Sequence, residues 1–268
     1  MEMKQIQDLC SLISSGGTPS RKHPEYYATD ESGHLWVKSK ELLDRAISVT
    51  EETISDEGLK KSSAKYYPAN TVLLAMYGAN VGQLGWLKRP ATVNQAVCGM
   101  VVDEEVADHH YVDYALLHTR DGLSAKAQGA AQQNLNQSLI REYKIPAPSL
   151  QIQRRIASIV TTYDDLIENS TRRIALLEEM ARRLYEEWFV KFRFPGHEDV
   201  MFRETELGKV PETWGIVSLD QAIGFNPRTV VPREDEKLFV PMSALSEINM
   251  TISGLQVKTG NSGAFCVP

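Results

Sequence analysis

From Leu150 to Phe192 the chain contains neither glycine nor proline, and this stretch constrains the fold more than any other. Apolar residues fall at Ile152, Ile156, Ile159, Tyr163 and Leu166, then at Ile174, Leu177, Ala181, Leu184 and Trp188. The steps mostly alternate between three and four, which is the seam of a coiled coil. Ser170 interrupts the pattern and the step from Leu166 to Ile174 is 8, so the register slips once. A helix of 43 residues would span roughly 64 Å at about 1.5 Å per residue. No small domain can cover such a helix along its length, so it needs a partner helix. Arginine pairs at Arg154-Arg155, Arg172-Arg173 and Arg182-Arg183 are balanced by acidic pairs such as Asp164-Asp165 and Glu178-Glu179, as on a salt-bridged surface.

The residues before this helix read differently. Leu35–Val37, Thr71–Tyr77 and Gln95–Val102 are short β-branched and aromatic runs bounded by turn residues, and they are expected to be strands. Helical pieces are expected near the N-terminus, at 40–45 and at 111–121. Residues 1–149 are therefore an α+β domain without regular βαβ alternation. Ile145-Pro146-Ala147-Pro148-Ser149 closes it, because proline cannot continue a helix and biases its predecessor toward extended backbone. The spacer helix takes 150–192, and 193–215 read as a linker. A second domain is expected over 216–268. Its opening, Val217 to Ile223, echoes Lys4 to Leu9, and Leu238-Phe239-Val240-Pro241-Met242-Ser243-Ala244-Leu245 echoes Leu35 to Leu42. Two echoes in order suggest a repeat of the whole unit, expected to be incomplete in its second copy.

Composition narrows the function classes. The net charge is −6 and no segment carries more basic than acidic side chains, so a generic polyanion binder is disfavoured. Any nucleic-acid surface must be a local patch, or a partner must supply much of the phosphate grip. Cys10, Cys98 and Cys266 are far apart and odd in number, which fits neither a zinc site nor a disulfide framework and suggests a reducing, cytoplasmic compartment. No apolar run is long enough to span a membrane.

The order of several loose motifs carries a resemblance. They are Ile13-Ser14-Ser15-Gly16-Gly17-Thr18-Pro19-Ser20, Leu35 to Leu42, Ile54 to Ala64, Thr71 to Gly82, Asn134-Leu135-Asn136, Lys144 to Pro148, Gln151 to Ile156 and Gly208-Lys209-Val210-Pro211-Glu212-Thr213-Trp214. With the long helix in its place between them, the chain resembles the specificity subunits of type I restriction-modification systems. The resemblance implies globular target-recognition domains joined by long antiparallel helices, each domain reading half of a split DNA sequence. It also implies methyltransferase subunits and a motor-nuclease subunit as partners. Those partners, not this chain, would use S-adenosylmethionine, ATP and Mg2+. With one spacer helix in the sequence, pairing with a second copy of the chain is a further expectation.

Candidate DNA contacts follow from side-chain chemistry. The loop Gly17, Thr18, Ser20, Arg21 and Lys22 is small and ends basic; glycine lets backbone N–H groups near a phosphate and arginine can fork onto guanine, although an ordinary turn has the same composition. Lys38 and Lys40, and Lys60 and Lys61, are basic clusters beside hydroxyls, suited to phosphate oxygens or simply to solvent. Tyr77, Asn80 and Gln83 lie on a loop with two glycines that could offer amides to a base edge or be a hairpin with Asn in left-handed conformation. Gln128, Gln132, Gln133 and Asn134 form an amide-rich stretch of the type that bonds adenine, or a polar loop. Along the helix, Ile156, Tyr163, Leu177 and Leu184 would face a partner. Tyr185, Trp188 and Phe189 at its end could anchor the methyltransferase or pack on the linker.

Catalytic motifs are not evident. There is no phosphate-binding Gly-rich loop ending in Gly-Lys. Asn226-Pro227-Arg228 lacks the second proline and the aromatic of an adenine methyltransferase signature, and Glu142-Tyr143-Lys144 lacks its nuclease partners. His109-His110 lies in an acidic segment, but adjacent residues rarely converge on one metal, so a solvated loop is the better reading. A non-catalytic recognition subunit fits this pattern. The alternative is a coiled-coil scaffold that binds protein without DNA specificity, which the acidic charge favours and the glycine and amide loops do not.

Overall fold

The computed structural model describes residues 2–28, 33–126, 134–224, 234, 236–246 and 251–260. Two compact units divide the chain, Met1–Glu179 and Met180–Pro268. In the first unit the strands run β1 (Met3–Gln5), β2 (Cys10–Ser15), β3 (Tyr27–Ala28), β4 (His34–Val37), β5 (Arg45–Ile47), β6 (Thr53–Ile54), β7 (Lys65–Tyr67), β8 (Val72–Ala75), β9 (Leu84–Leu87), β10 (Ala91–Val93), β11 (Val97–Val102) and β12 (Lys144–Pro146). The helices are α1 (Asp56–Lys60), α2 (His109–His118), α3 (Arg120–Ser124), α4 (Gln137–Glu142) and α5 (Leu150–Tyr185). The fold is α+β, as its sequence implies.

Two five-stranded sheets form two layers, in the orders β3-β6-β4-β10-β7 and β2-β11-β8-β9-β5. Each is mixed: β10 runs parallel to β4 and β5 parallel to β9, and the other neighbours are antiparallel. Helices α2 to α4 cover the outer face of the second sheet. Strand β8 explains how the layers hold. Val72 and Leu74 point to the helices, into a core with Ile13, Met100, Val112, Leu116 and Ile140. Leu73 and Ala75 point the other way, into a core with Val37, Tyr67, Leu87 and Val93 between the sheets. Successive strand residues face opposite sides, so a strand buried on both faces must read as a continuous apolar run. Gly99 of β11 sits under the Tyr67 ring, and Tyr67 Oη donates to the Ser14 carbonyl at 2.8 Å.

Side-chain caps start the helices. Ser55 accepts from Gly58 N, Asp108 from Tyr111 N, and Asn136 from Leu139 N, each satisfying an otherwise orphaned first-turn donor. The N-terminal helix expected from sequence is instead β1, a single 3-10 turn (Ile6–Asp8) and β2. Pairing of β1 with β12 and of β2 with β11, both remote in sequence, overrides the local preference. Residues 40–45 likewise hold only a 3-10 turn, Ser39–Glu41, before β5.

Helix α5 runs unbroken past Ser170, and a π-helical turn, Glu186–Val190, follows it. One face lies on the first unit. Gln153 and Ala157 are buried, Gln153 accepts from Asp108 N at 3.1 Å, Asp164 accepts from Tyr114 Oη, and Lys88 pairs with Glu168 at 2.6 Å. The anchoring positions 153, 157, 164 and 168 recur at helical spacing. The apolar stripe lies on another face and is open.

In the second unit, the stretch 193–215 read as a linker carries regular structure of its own. A hairpin, β13 (Phe202–Thr205) and β14 (Gly208–Pro211), pairs in register, and Trp214 packs among Phe189, Phe192 and Phe194 at centroid distances of 5.4 to 6.0 Å. Ring-on-ring contact closes this segment, with Phe192, Phe194 and Trp214 half-buried and Phe189 exposed. Further on, β15 (Lys237–Phe239) is followed by the 3-10 turn Met242–Ala244, the same succession as β4 and Ser39–Glu41.

Candidate nucleic-acid interface

The C-terminal ends of β2, β4, β8 and β10 and the start of β11 converge on one rim of the first unit. Backbone bonds tie these ends together: Gly17 N to Val93 O at 3.0 Å, Asn94 N to Val37 O at 2.9 Å, Met76 N to Ala96 O at 2.8 Å and Leu135 N to Met76 O at 2.9 Å. Side chains cross the same gaps. Thr18 Oγ1 donates to Gln95, Asn80 Nδ2 to Ser39 O at 3.2 Å, and Gln137 Nε2 to Ser15 Oγ at 2.9 Å. Tyr77 bridges Asn134. Residues far apart in sequence thus share one polar edge.

Most of the loop residues singled out in the sequence lie on it. Thr18, Ser20, Arg21, Lys22 and Lys40 are exposed, and Lys38 and Asn80 are partly so. Gly17 has a packing role: its N–H is committed to Val93, and a Cβ there would overlap Ser63. In the Tyr77–Gln83 hairpin the left-handed residues are Gly78 (φ 81°) and Gly82 (φ 84°), and Asn80 sits on a 3-10 turn between them, not in left-handed conformation. Side-chain oxygens of Gln83 and Asn134 are buried and have no hydrogen-bond partner among the described residues. Lys60 and Lys61 close α1 in the stretch that leads to Ser63, where Lys61 pairs with Glu57 at 2.6 Å. Gln128, Gln132 and Gln133 lie outside the described residues, as does Asn226-Pro227-Arg228.

Sequence reading missed Glu51 and Glu52. Arg21 pairs with Glu52 at 2.7 Å, Lys38 with Glu51 at 2.9 Å and Glu52 at 3.6 Å, and Lys40 with Glu51 at 2.7 Å. Arg21 also lies over Tyr27, 4.2 Å from the ring centre, with Trp36 beneath. The Lys40 and Lys38 ammonium groups hold the Glu51 carboxyl below the usual carboxylate range, and Arg21 does the same for Glu52. The antiparallel register of β4 with β6 brings Glu51 and Glu52 beside Lys38, and no local motif announces it.

Other candidates resolve differently. His109 and His110 form the first turn of α2 and not a solvated loop; their rings meet each other and Trp86, and burial lowers both pKa values. Among the described residues no group of three or more metal-ligating side chains occurs. Burial pushes the Cys10 and Cys98 thiols up to about 12, so both stay protonated, unlike a nucleophilic cysteine. Tyr163, Leu177, Leu184 and Tyr185 stand exposed on α5, from 47 to 64%, while Ile156 is half-buried. Phe189 packs on Tyr185 and Trp214, and Trp188 is half-buried. Among the described residues no helix is long and apolar enough to cross a membrane.

Residues 1–179 match the family model of the type I restriction modification DNA specificity domain. The chain belongs to this family. A specificity subunit of the type I restriction enzyme MjaIX from Methanocaldococcus jannaschii is 27% identical over 87% of this chain and 54% of its own length. That of EcoR124I/EcoR124II from Escherichia coli is 26% identical over 69% of this chain and 46% of its own. This specificity-domain chain therefore spans about half the length of these curated relatives. Its fold is similar to that of a type I restriction-modification S subunit from M. genitalium, with a TM-score of 0.51 at 18% identity over 70% of this chain and 44% of that one.

Proposed function

We propose that this chain reads DNA sequence for a type I restriction-modification complex, with the rim of its first unit as the reading surface. The observation that carries the proposal is the convergence of five strand ends, within the matched specificity domain, into one edge of amide, hydroxyl and basic groups. Amides and guanidinium groups are the side chains that bond base edges bidentately, and lysines and hydroxyls grip phosphates. In this reading the chain does no chemistry. Methyltransferase subunits using S-adenosylmethionine modify adenine, and a motor-nuclease subunit using ATP and Mg2+ cuts unmodified DNA. The open stripe of α5 supports a partner helix, which a second copy of the chain can provide.

The test is to co-purify the chain with its methyltransferase partner and map adenine methylation on a random DNA library. Methylation confined to a split motif is the expected result. A palindromic motif would report two copies of this chain, an asymmetric one a different second recognition domain. A stable complex that methylates without sequence preference would overturn the reading in favour of a scaffold.

A further inference from the structure

Arg21, Glu52, Lys38, Glu51 and Lys40 form a chain of charges that alternates in sign along the rim. Three cations and two anions leave it one positive charge. The carboxylates are not loose. Glu51 N donates to Glu41 Oε1 at 2.7 Å, Trp36 N to Glu52 O at 3.3 Å and Thr50 Oγ1 to the same carbonyl at 2.7 Å, so the backbone carrying both acids is tied to β4 and its turn. Glu41 caps that turn from its other oxygen, at 2.7 Å from Lys38 N. The Lys38 side chain, only 15% exposed, is screened by both acids, whereas Lys40 and Arg21 are more than half exposed.

We propose that Glu51 and Glu52 occupy, in the free protein, the positions that two DNA phosphates take on Arg21, Lys38 and Lys40, and so suppress binding to DNA of the wrong sequence. This rests on the DNA-reading function above and names how that surface is regulated. Carboxylate and phosphate oxygens accept the same charge-assisted bonds from lysine and arginine. Exposed ion pairs are weak in water, so a phosphate can displace a carboxylate once the duplex is held by other contacts. Nonspecific affinity grows with the number of phosphates neutralised, and this cluster of five counts for about one instead of three. A duplex without the right bases gains little here. With matched base contacts the exchange completes.

The experiment measures binding of the full chain to a fluorescent random-sequence duplex across a salt series. Glu51→Gln with Glu52→Gln should bind at least roughly tenfold more tightly at low salt, with the slope of log K against log salt steeper by about 1.8. In that background Lys40→Gln, at an exposed position, should return about 0.9 of the slope. Asp8→Asn with Glu105→Gln removes the same charge near the opposite ends of β2 and β11 and should change the slope little. Equal effects from both double variants, or an unchanged slope in the Glu51 and Glu52 variant, would overturn the inference while leaving DNA reading intact. If neither the original chain nor any variant binds duplex at the lowest salt, the same series is run on the complex with the methyltransferase partner, and absence of binding there takes the DNA-reading function down and the inference with it.

Discussion

A methyl group on Gly99 would lie 2.5 Å from Cε1 of Tyr67, whose ring is fixed in turn by Ser14. The ring cannot retreat without breaking buried hydrogen bonds. Gly99→Ala should therefore cost about 1–3 kcal/mol, the usual range for an overfilled core, read as a lower urea midpoint with unchanged slope. Asp113 makes the opposite case. It is buried, one of its carboxylate oxygens has no hydrogen-bond partner among the described residues, and its carboxyl is pushed up to about 7 by burial first and then by Asp44 and Asp164. An unfolded aspartate titrates near ~3.9. Between those values the folded protein keeps a proton that the unfolded chain has released, so stability falls as pH rises from about 4 to about 7. Asp113→Asn keeps the shape of the neutral form and removes that loss, worth up to about 4 kcal/mol. Melting curves at pH 5 and pH 8 should show the variant gaining more at the higher pH, by up to about 3 kcal/mol; an equal gain at both would refute the assignment.

At the scale of elements, α5 divides its faces by chemistry. The side that meets the first unit uses Gln153, Asp164 and Glu168, while Ile159, Tyr163, Leu177 and Leu184 look outward. An apolar stripe left in water is the unusual half of that arrangement. Tyr163→Glu with Leu177→Glu should leave the melting temperature of the isolated chain nearly unchanged, since substitutions on an open surface usually stay within about 0.5 kcal/mol. Sedimentation should show self-association of the original chain at tens of micromolar (roughly the range of a modest helix pair) and its loss in the variant. An original chain that stays monomeric would mean another protein takes the stripe. The helix itself was legible because 3.6-residue periodicity without breakers is a local signal. So were β4, β8 and β11, whose apolar runs need burial on two sides. The N-terminal strands were not, because their partners β12 and β11 lie far off in sequence, Lys4 facing Ile145 and Leu12 facing Val101. The hairpin at 202–211 was hidden for another reason: glycine and proline mark a turn equally well in a linker and in a packed corner.

The whole molecule sets a net charge of −6 against a surface proposed to hold DNA. Sequence counting finds the balance but not the pairing: Arg21, Lys38 and Lys40 were visible as candidates, yet their carboxylate partners come from the far side of a sheet register. The same holds for the amides on the rim, since Tyr77 meets Asn134 only through tertiary pairing. What joins the layers beneath that rim is β8, whose alternate residues fill both cores. Freeing it would wet two interiors together, so neither layer has a seam along which it could melt and leave the other standing. The opening of β8 is thereby coupled to both cores at once.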